Sequence, residues 1–530
     1  MADVRDVTYE LLRARGLTTL FGNPGSNELP FLAGMPADFR YVLGLHEGAV
    51  LAMADGYAQA SGRPALVNLH AAAGTGNALG ALTNSVYSHS PLVITAGQQV
   101  RSTIGQEVML ANVEAATLPR PLVKWSCEPA SAQDVPRALS QALHLAELPA
   151  KGPVYVSVPY DDWAHEAPPE ARHLLARRTA AAGALTAEQC EELLADLDGA
   201  ANPVLVLGPE VDAERANDDA VRLAERLGAP VWIAPSPSRC PFPTRHPAFR
   251  GVLPAAVRGV TEALRGHDLI LVVGAPVFRY HQFVPGEHLP DGARLLHLTG
   301  DPGEAARAPM GEALVCSVAD ALARLGAAPG GARRAPDPLP EPPPVRDGSP
   351  VDPAALFAAL REHAPHDAVY VKESTATTGD FWRQVDLRLP GSYFFPASGG
   401  LGFGLPAAVG AQLAHDELGT GRRVIGLIGD GSANYGITAL WTAAQQQVPV
   451  IFVVLKNGTY GALRWFAGVL DAVGTPGMDV PGIDFAGIAR GYGVDATSVR
   501  TTADFTAAFT RALDQRRPVL IEVETELTEP

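Results

Sequence analysis

The chain has 530 residues, 47% hydrophobic and 18% charged, an ordinary globular composition that is too long for one core and suits about three domains of 150 to 200 residues. The 41 Lys and Arg against 57 Asp and Glu leave a formal charge of −16 with no dense basic run, which excludes a nucleic-acid partner. Cys127, Cys190, Cys240 and Cys316 are far apart with no CxxC pair, so neither a zinc site nor a disulfide framework is signalled, and apolar runs such as LILVV (269–273) are too short to span a bilayer. A soluble cytoplasmic protein is expected, because the amphipathic N-terminus MADVRDVTYELLRARG lacks the apolar core of a signal peptide.

In chain order, β-branched runs alternate with Ala- and Leu-rich helical stretches. ALVNLH, PLVITAG and GPVYVSVP come early, PVLVLGP and LILVVGAP in the middle, and VIGLIGDG and VPVIFVVLKNG late. That alternation predicts mostly parallel sheets with helices on both faces, an α/β class. Two polar or proline-rich segments, 164–184 and 328–350, interrupt it and read as linkers. They divide the chain into expected domains 1–180, 181–340 and 341–530. The first and third look alike in length and strand composition, without a strict repeat.

Chemistry concentrates at strand ends. In LHEGAVLAMADGYAQASG (45–62), Glu47 opens a helix that is apolar nearly all round, and the nearest basic residues in sequence are Arg40 and Arg63. Such an acid is expected to be desolvated without a cationic partner, with its pKa raised. The plainer reading is an acid complementing the helix dipole. The GTGNALG stretch that follows does not have the GxGxxG spacing and is a weak dinucleotide signal.

Late in the chain, VIGLIGDGSANYG (424–436) ends an apolar strand on Asp430 between Gly429 and Gly431, and a helix over GITALWTAAQQQ (436–447) leads to a second strand, VPVIFVVL (448–455). A right-handed crossover then places Asp430 and Asn457, 27 positions apart, at the carboxyl ends of adjacent parallel strands, the edge where open α/β sheets bind ligands. A carboxylate, an amide oxygen and a carbonyl from the next turn are hard donors suited to Mg²⁺. The glycines and the following helix N-terminus would admit a diphosphate.

GDG, then 25 intervening residues, then Asn457 resembles the binding motif of thiamine-diphosphate enzymes, with Lys456 where the family usually has a first asparagine. FGNPGSNELPF, HAAAGTGN, NSVYSHSPL, LPRPLVKWS, VSVPYDDW, GAPVFRYHQ, DPGEAARAPMG and NGTYGALRWFAGVL extend the resemblance over nearly the full chain. It is to the thiamine-diphosphate-dependent 2-oxo acid decarboxylases, and within them to those acting on aryl 2-oxo acids such as benzoylformate. The resemblance implies three α/β domains, the central one Rossmann-like. It implies thiamine diphosphate with Mg²⁺, Ca²⁺ being an admissible substitute, and neither FAD nor NAD.

The implied reaction is non-oxidative decarboxylation of benzoylformate to benzaldehyde and CO₂ through the cofactor's C2 ylid, with carboligation as a side activity, in the degradation of mandelate-type aromatics. Ser26 would bind the substrate carboxylate, Glu47 would hydrogen-bond the cofactor's pyrimidine, and His70 and His281 would relay protons. Asn23, Pro24, Gly25, Thr375, Thr378, Gly399, Leu401, Gly429, Asp430, Gly431, Ser432, Asn457 and Tyr460 would surround the cofactor. The metal would take Asp430, Asn457 and the Thr459 carbonyl. Leu110, Phe395, Ala462, Leu463 and Phe466 would form the aryl pocket. The resemblance also implies an obligate dimer, assembling to a tetramer, with Glu47 of one subunit and Asp430 of another sharing a cofactor. One alternative is the same chemistry on aliphatic or branched 2-oxo acids. Another, a non-catalytic cofactor-binding protein, is opposed by the presence of Glu47, His70 and His281 together.

Overall fold

A computed structural model describes residues 2–181, 183–329 and 333–528. Three six-stranded sheets, every strand pairing parallel, follow one another along the chain. The first holds β1 (Thr19–Gly22), β2 (Arg40–Leu43), β3 (Ala65–Leu69), β4 (Leu92–Gln98), β5 (Trp125–Cys127) and β6 (Val154–Pro159). The second holds β7 (Pro203–Leu207), β8 (Val231–Ile233), β9 (Phe249–Val252), β10 (Leu269–Val273), β11 (Arg294–Thr299) and β12 (Glu312–Val315). The third holds β13 (Val369–Glu373), β14 (Tyr393–Phe394), β15 (Val424–Gly429), β16 (Ile451–Lys456), β17 (Asp495–Val499) and β18 (Val519–Glu524). Central strands such as β3, β7, β10 and β13 are buried along their whole length, as expected of parallel strands covered on both faces.

Strand order explains the likeness sensed between the ends of the chain. The first sheet runs β2-β1-β3-β4-β6-β5 and the third β14-β13-β15-β16-β18-β17, the same permutation carried by unrelated side chains. The middle sheet runs β12-β11-β10-β7-β8-β9, the dinucleotide-fold order read from its other edge. At the carboxyl edge of that sheet Glu210 accepts from the Thr299 hydroxyl at 2.6 Å and the Gly300 N–H at 2.7 Å, so its carboxylate ties the end of β11 to the helix after β7.

The first and third sheets are joined through two helices. Glu47–Ser61 is buried except at Gly48, and Gly404–Glu417 is buried over most of its length. They touch backbone to backbone. A Cβ on Gly56 would lie 2.2 Å from the Ala407 carbonyl oxygen, and one on Gly410 1.8 Å from that of Met53. The all-round apolar character of 47–61 therefore records a helix sandwiched between its own sheet and a neighbouring domain.

Some expected boundaries shift. The helix expected over 436–447 is shorter, Ala439–Gln445, with a separate helix Asp430–Gly436 before it, and the strand expected from 448 begins at Ile451. Tertiary packing sets the break, since Gly436 lies against the Pro406 ring and the Gly402 carbonyl, where a Cβ would approach to 2.7 and 3.0 Å. The 164–184 segment carries two short helical turns, Pro169–Ala171 and Arg172–Leu175, and 333–349 has no helix or strand. Residues 182 and 330–332 of these two segments lie outside the described residues. All four cysteines are free thiols. No helix among the described residues is long and apolar enough to cross a membrane.

Candidate active site

Asp430 and Asn457 stand where the sequence places them, each just past the end of its strand, with β15 and β16 adjacent and Gly429 paired with Leu455. Asp430 is buried. Its Oδ1 accepts from the Gly431 N–H at 2.8 Å and its Oδ2 from the N–H groups of Asn457 and Gly458 at 3.1 and 2.7 Å. Burial pushes its pKa up, against the pull of those three backbone donors. No Lys, Arg or His pairs with it among the described residues. The Asn457 Oδ1 accepts from the Thr459 N–H at 3.1 Å, closing the turn. Gly431 is required by close approach, for a Cβ there would sit 2.6 Å from the Tyr460 ring.

This strand end opens into a cavity of about 1640 Å³ lined by Thr375, Thr378, Gly399, Leu401, Gly429, Asp430, Gly431, Ser432, Asn457, Thr459 and Tyr460. Phe395, Ala462, Leu463, Phe466 and His281 line it as well, with the His281 imidazole edge-on to Phe466 at 4.6 Å between centroids. The expected cofactor, metal and aryl-pocket residues of the last domain thus share one space with one expected proton carrier.

Ser26, Glu47, His70 and Leu110 do not line it. They gather on the first domain. A Cβ on Gly25 would meet the His70 ring at 2.1 Å, so this glycine lets the Asn23–Pro24–Gly25–Ser26 turn lie against the imidazole. Asn27 Nδ2 reaches the Leu110 carbonyl at 3.4 Å, and Leu110 itself holds a left-handed φ of 68°. Glu47 is 8% exposed, and its Oε2 accepts from Asn77 Nδ2 at 3.0 Å. A Cβ on Gly74 would lie 3.0 Å from its other oxygen. The GTGN stretch is therefore inside the helix Ala71–Tyr87, shaped to receive a carboxylate. Ser26, His281 and Leu463 are exposed.

Two residues of this first-domain cluster escaped the sequence reading. Glu28, 1% exposed, accepts from the N–H groups of Gly25 and Gly97 at 2.9 Å each and meets His70 Nδ1 at 2.8 Å. Asn77 is the other. His46 caps its helix by accepting from the Gly48 N–H at 3.1 Å, and His89 lies 3.7 Å from Asp301.

Comparison with known proteins bears on this arrangement. Residues 2–117, 190–325 and 374–523 match the family profiles described as thiamine pyrophosphate enzyme, N-terminal TPP binding domain, central domain and C-terminal TPP binding domain. The chain is 63% identical to a benzoylformate decarboxylase of Pseudomonas aeruginosa, over all of both chains. The chain belongs to the thiamine pyrophosphate enzyme family. Among solved structures of this family, a thiamine diphosphate-dependent 4-hydroxybenzoylformate decarboxylase of Rhodococcus jostii is 66% identical with a TM-score of 0.97 over the whole of both chains. The benzoylformate decarboxylase of Polynucleobacter necessarius is 37% identical, also with a TM-score of 0.97 and full coverage of both.

As in any thiamine pyrophosphate enzyme, the cofactor is thiamine diphosphate, and the donors present suit it. A buried carboxylate without a cationic side chain, beside an amide oxygen and a turn carbonyl, fits a hard divalent cation, and the stripped backbone at Gly429–Gly431 fits a diphosphate. Among the described residues no three His, Cys, Asp or Glu are grouped closely enough to hold a metal, because this donor set contains a single carboxylate. Lys456 turns away from the site. Its Nζ pairs with Glu522 at 3.2 Å, and Glu522 also receives the Phe485 N–H at 2.8 Å and the Ser498 hydroxyl at 3.0 Å. The atypical residue serves the neighbouring strand β18 and leaves Asn457 free to face the cavity.

Proposed function

We propose that the protein decarboxylates benzoylformate to benzaldehyde and CO₂ with thiamine diphosphate and Mg²⁺, at a site completed by two chains. The observation that carries this reading is one cavity uniting the Asp430–Asn457 strand ends with the apolar wall of Phe395, Ala462, Leu463 and Phe466. Full-length identity to a benzoylformate decarboxylase supports the same substrate class. Domains 1–180, 181–340 and 341–530 divide the work. The first contributes Ser26, Glu47, His70 and Leu110, and the last the metal and diphosphate ligands, with Asn23, Pro24 and Gly25 bordering the cofactor from the first.

When bound, the cofactor supplies a nucleophilic carbon and a sink for the electrons released with CO₂. Asp430, Asn457 and the Thr459 carbonyl would hold the metal, and Ser432 and the backbone at Gly429–Gly431 would receive the diphosphate. Thr375, Thr378, Gly399, Leu401 and Tyr460 form the walls around it. The Glu47 carboxyl would hydrogen-bond the pyrimidine nitrogen. The Ser26 hydroxyl donates to the substrate carboxylate. The Phe466 and Phe395 faces accept the aryl ring and keep water from it, with Leu110 closing the pocket from the first domain. His70, its Nδ1 anchored on Glu28, would present Nε2 for proton transfer, and His281, which lines the cavity beside Phe466, would be the second proton carrier. Carboligation of a second aldehyde is a side activity of the same site.

The first test is aldehyde formation from benzoylformate by ligand-stripped protein, with and without thiamine diphosphate and Mg²⁺. Activity that needs both agrees with the reading, and binding of cofactor without turnover of benzoylformate moves the substrate to the aliphatic or branched 2-oxo acids, assayed alongside. His70→Ala is expected to slow turnover by about 10², and an unchanged rate removes it from the mechanism. Glu28→Gln keeps the volume but loses the charge that orients the imidazole. It is expected to lower kcat by about tenfold with little change in KM, measured at saturating cofactor.

The exposure of Ser26 and His281, in two groups that do not share a cavity, supports assembly. An obligate dimer, with a tetramer as the larger assembly, brings Glu47 of one chain to Asp430 of the other. Sedimentation that finds an active monomer contradicts this.

A further inference from the structure

β13 ends on two adjacent ionisable residues, Lys372 and Glu373, that are 0% and 1% exposed and belong to no ion pair among the described residues. Side chains alternate along a strand, so the two point to opposite faces of the sheet. Lys372 Nζ donates to the Ser374 carbonyl at 2.6 Å and the Thr378 hydroxyl at 3.0 Å, and lies 5.8 Å from the centre of the Phe395 ring. Glu373 accepts from the N–H groups of Gly402, Phe403 and Gly404 at 2.8, 3.1 and 2.8 Å. Neither side chain lines the cavity, whereas Ser374–Thr378 on one side and Gly399 and Leu401 on the other do.

We propose that Lys372 and Glu373 are a positioning pair for cofactor binding, each fixing one of the two loops between which thiamine diphosphate sits. The inference rests on the thiamine-diphosphate reading of this cavity. Two buried groups without a counter-ion are costly to keep, and each finds its polar partners in a loop of the site. Burial acts on both toward neutrality, bringing the ammonium down to about 7 and the carboxyl up to about 7 against three helix-end N–H donors. The Gly399–Gly404 loop is held at two points. Asn84 of the first domain receives the Ser398 N–H at 3.1 Å and donates to the Gly400 carbonyl at 2.9 Å, and Glu373 takes the three N–H groups beyond. The fit at the second point is tight, because a Cβ on Gly404 would lie 2.8 Å from that of Glu373. The Ser374–Thr378 turn has internal bonds, Thr377 to the Ser374 carbonyl at 2.9 Å and Thr378 to the Thr375 carbonyl at 2.8 Å, and Lys372 joins its two ends. Ordering both loops in advance removes the entropy that the cofactor would otherwise have to supply on binding.

A structural role and a positioning role differ in sign at Lys372. Lys372→Met preserves the stem and leaves the Ser374 carbonyl still bonded to Thr377, and exchanging an unpaired buried charge for an apolar group tends to stabilise a fold. The variant is therefore expected to have a Tm, without cofactor, at or above that of the parent, while the Kd for thiamine diphosphate in Mg²⁺, measured by titration calorimetry, weakens about tenfold. Glu373→Gln keeps the volume but turns one N–H contact into donor against donor, and is expected to weaken that Kd by a similar factor. At saturating cofactor, the KM for benzoylformate should stay within about twofold in Glu373→Gln, whose carboxylate contacts the N–H groups of Gly402, Phe403 and Gly404 and not the aryl wall. A Kd within twofold of the parent in both variants overturns the proposal, as does a fall in the Tm of Lys372→Met that accounts for its weaker binding. Failure of the parent protein itself to bind thiamine diphosphate would instead remove the cofactor reading on which the pair depends.

Discussion

Glu47→Gln is expected to cut aldehyde formation from benzoylformate by about 10³, within the range that general acid–base groups contribute, while leaving the fold intact. The carboxyl is 8% exposed, accepts one hydrogen bond from Asn77, and sits where Gly74 leaves room for it. Glutamine fills the same volume, and its amide oxygen can keep the Asn77 contact. What it cannot do is exchange a proton. Thermal unfolding of the variant should therefore match the parent, and binding of thiamine diphosphate should change by less than about tenfold, one hydrogen bond's worth. Steady-state rates at saturating cofactor decide the matter, and a rate near the parent's would take Glu47 out of the mechanism.

The second large effect concerns Asp430 and the number of chains in a site. Asp430→Asn removes the sole carboxylate of the proposed metal set and sets an amide against one of three backbone donors. Loss of a ligand should exceed the 10- to 100-fold typical of its supporting partners, so Mg²⁺-dependent cofactor affinity is expected to fall by more than about 10². Glu47→Gln and Asp430→Asn should then complement each other. If the site joins the first domain of one chain to the last domain of another, co-expressed subunits assemble dimers in which one site of two is whole. With random pairing roughly a quarter of the parent's activity returns, from the isologous geometry of a twofold dimer. A site built within one chain predicts no recovery at all, because every chain carries a defect. The separation of Ser26, Glu47 and His70 from the cavity that holds Asp430 and His281 favours recovery.

The two positioning devices have a common form. Glu28 gathers Gly25, Gly97 and His70, and Glu373 gathers Gly402, Phe403 and Gly404. Each is a buried carboxylate satisfied by backbone N–H groups beside a loop of the site. In each case a glycine makes room, for a Cβ on Gly97 would fall 2.1 Å from Glu28 Oε1 and one on Gly404 3.0 Å from Glu373 Oε2. Such an arrangement trades stability for loops that are already in place when a ligand arrives.

The sequence by itself determined the parallel α/β class, the crossover joining β15 to β16, and the meeting of Asp430 with Asn457. It could do so because strands covered on both faces are continuous apolar runs, and because a crossover between neighbours brings their carboxyl ends together whatever the details. It also marked Glu47, through a helix with no polar face. The tertiary structure alone decided the partners that come from far along the chain. Glu28 meets His70 across 42 residues and Gly97 across 69, Asn77 meets Glu47 across 30, and Glu373 meets Gly404 across 31. No periodicity encodes those distances, since each depends on which strands lie side by side. The break at Gly436 and the turn of Lys456 toward Glu522 have the same origin. Local pattern says which face of an element is buried, and only the packed sheets say what lies against it.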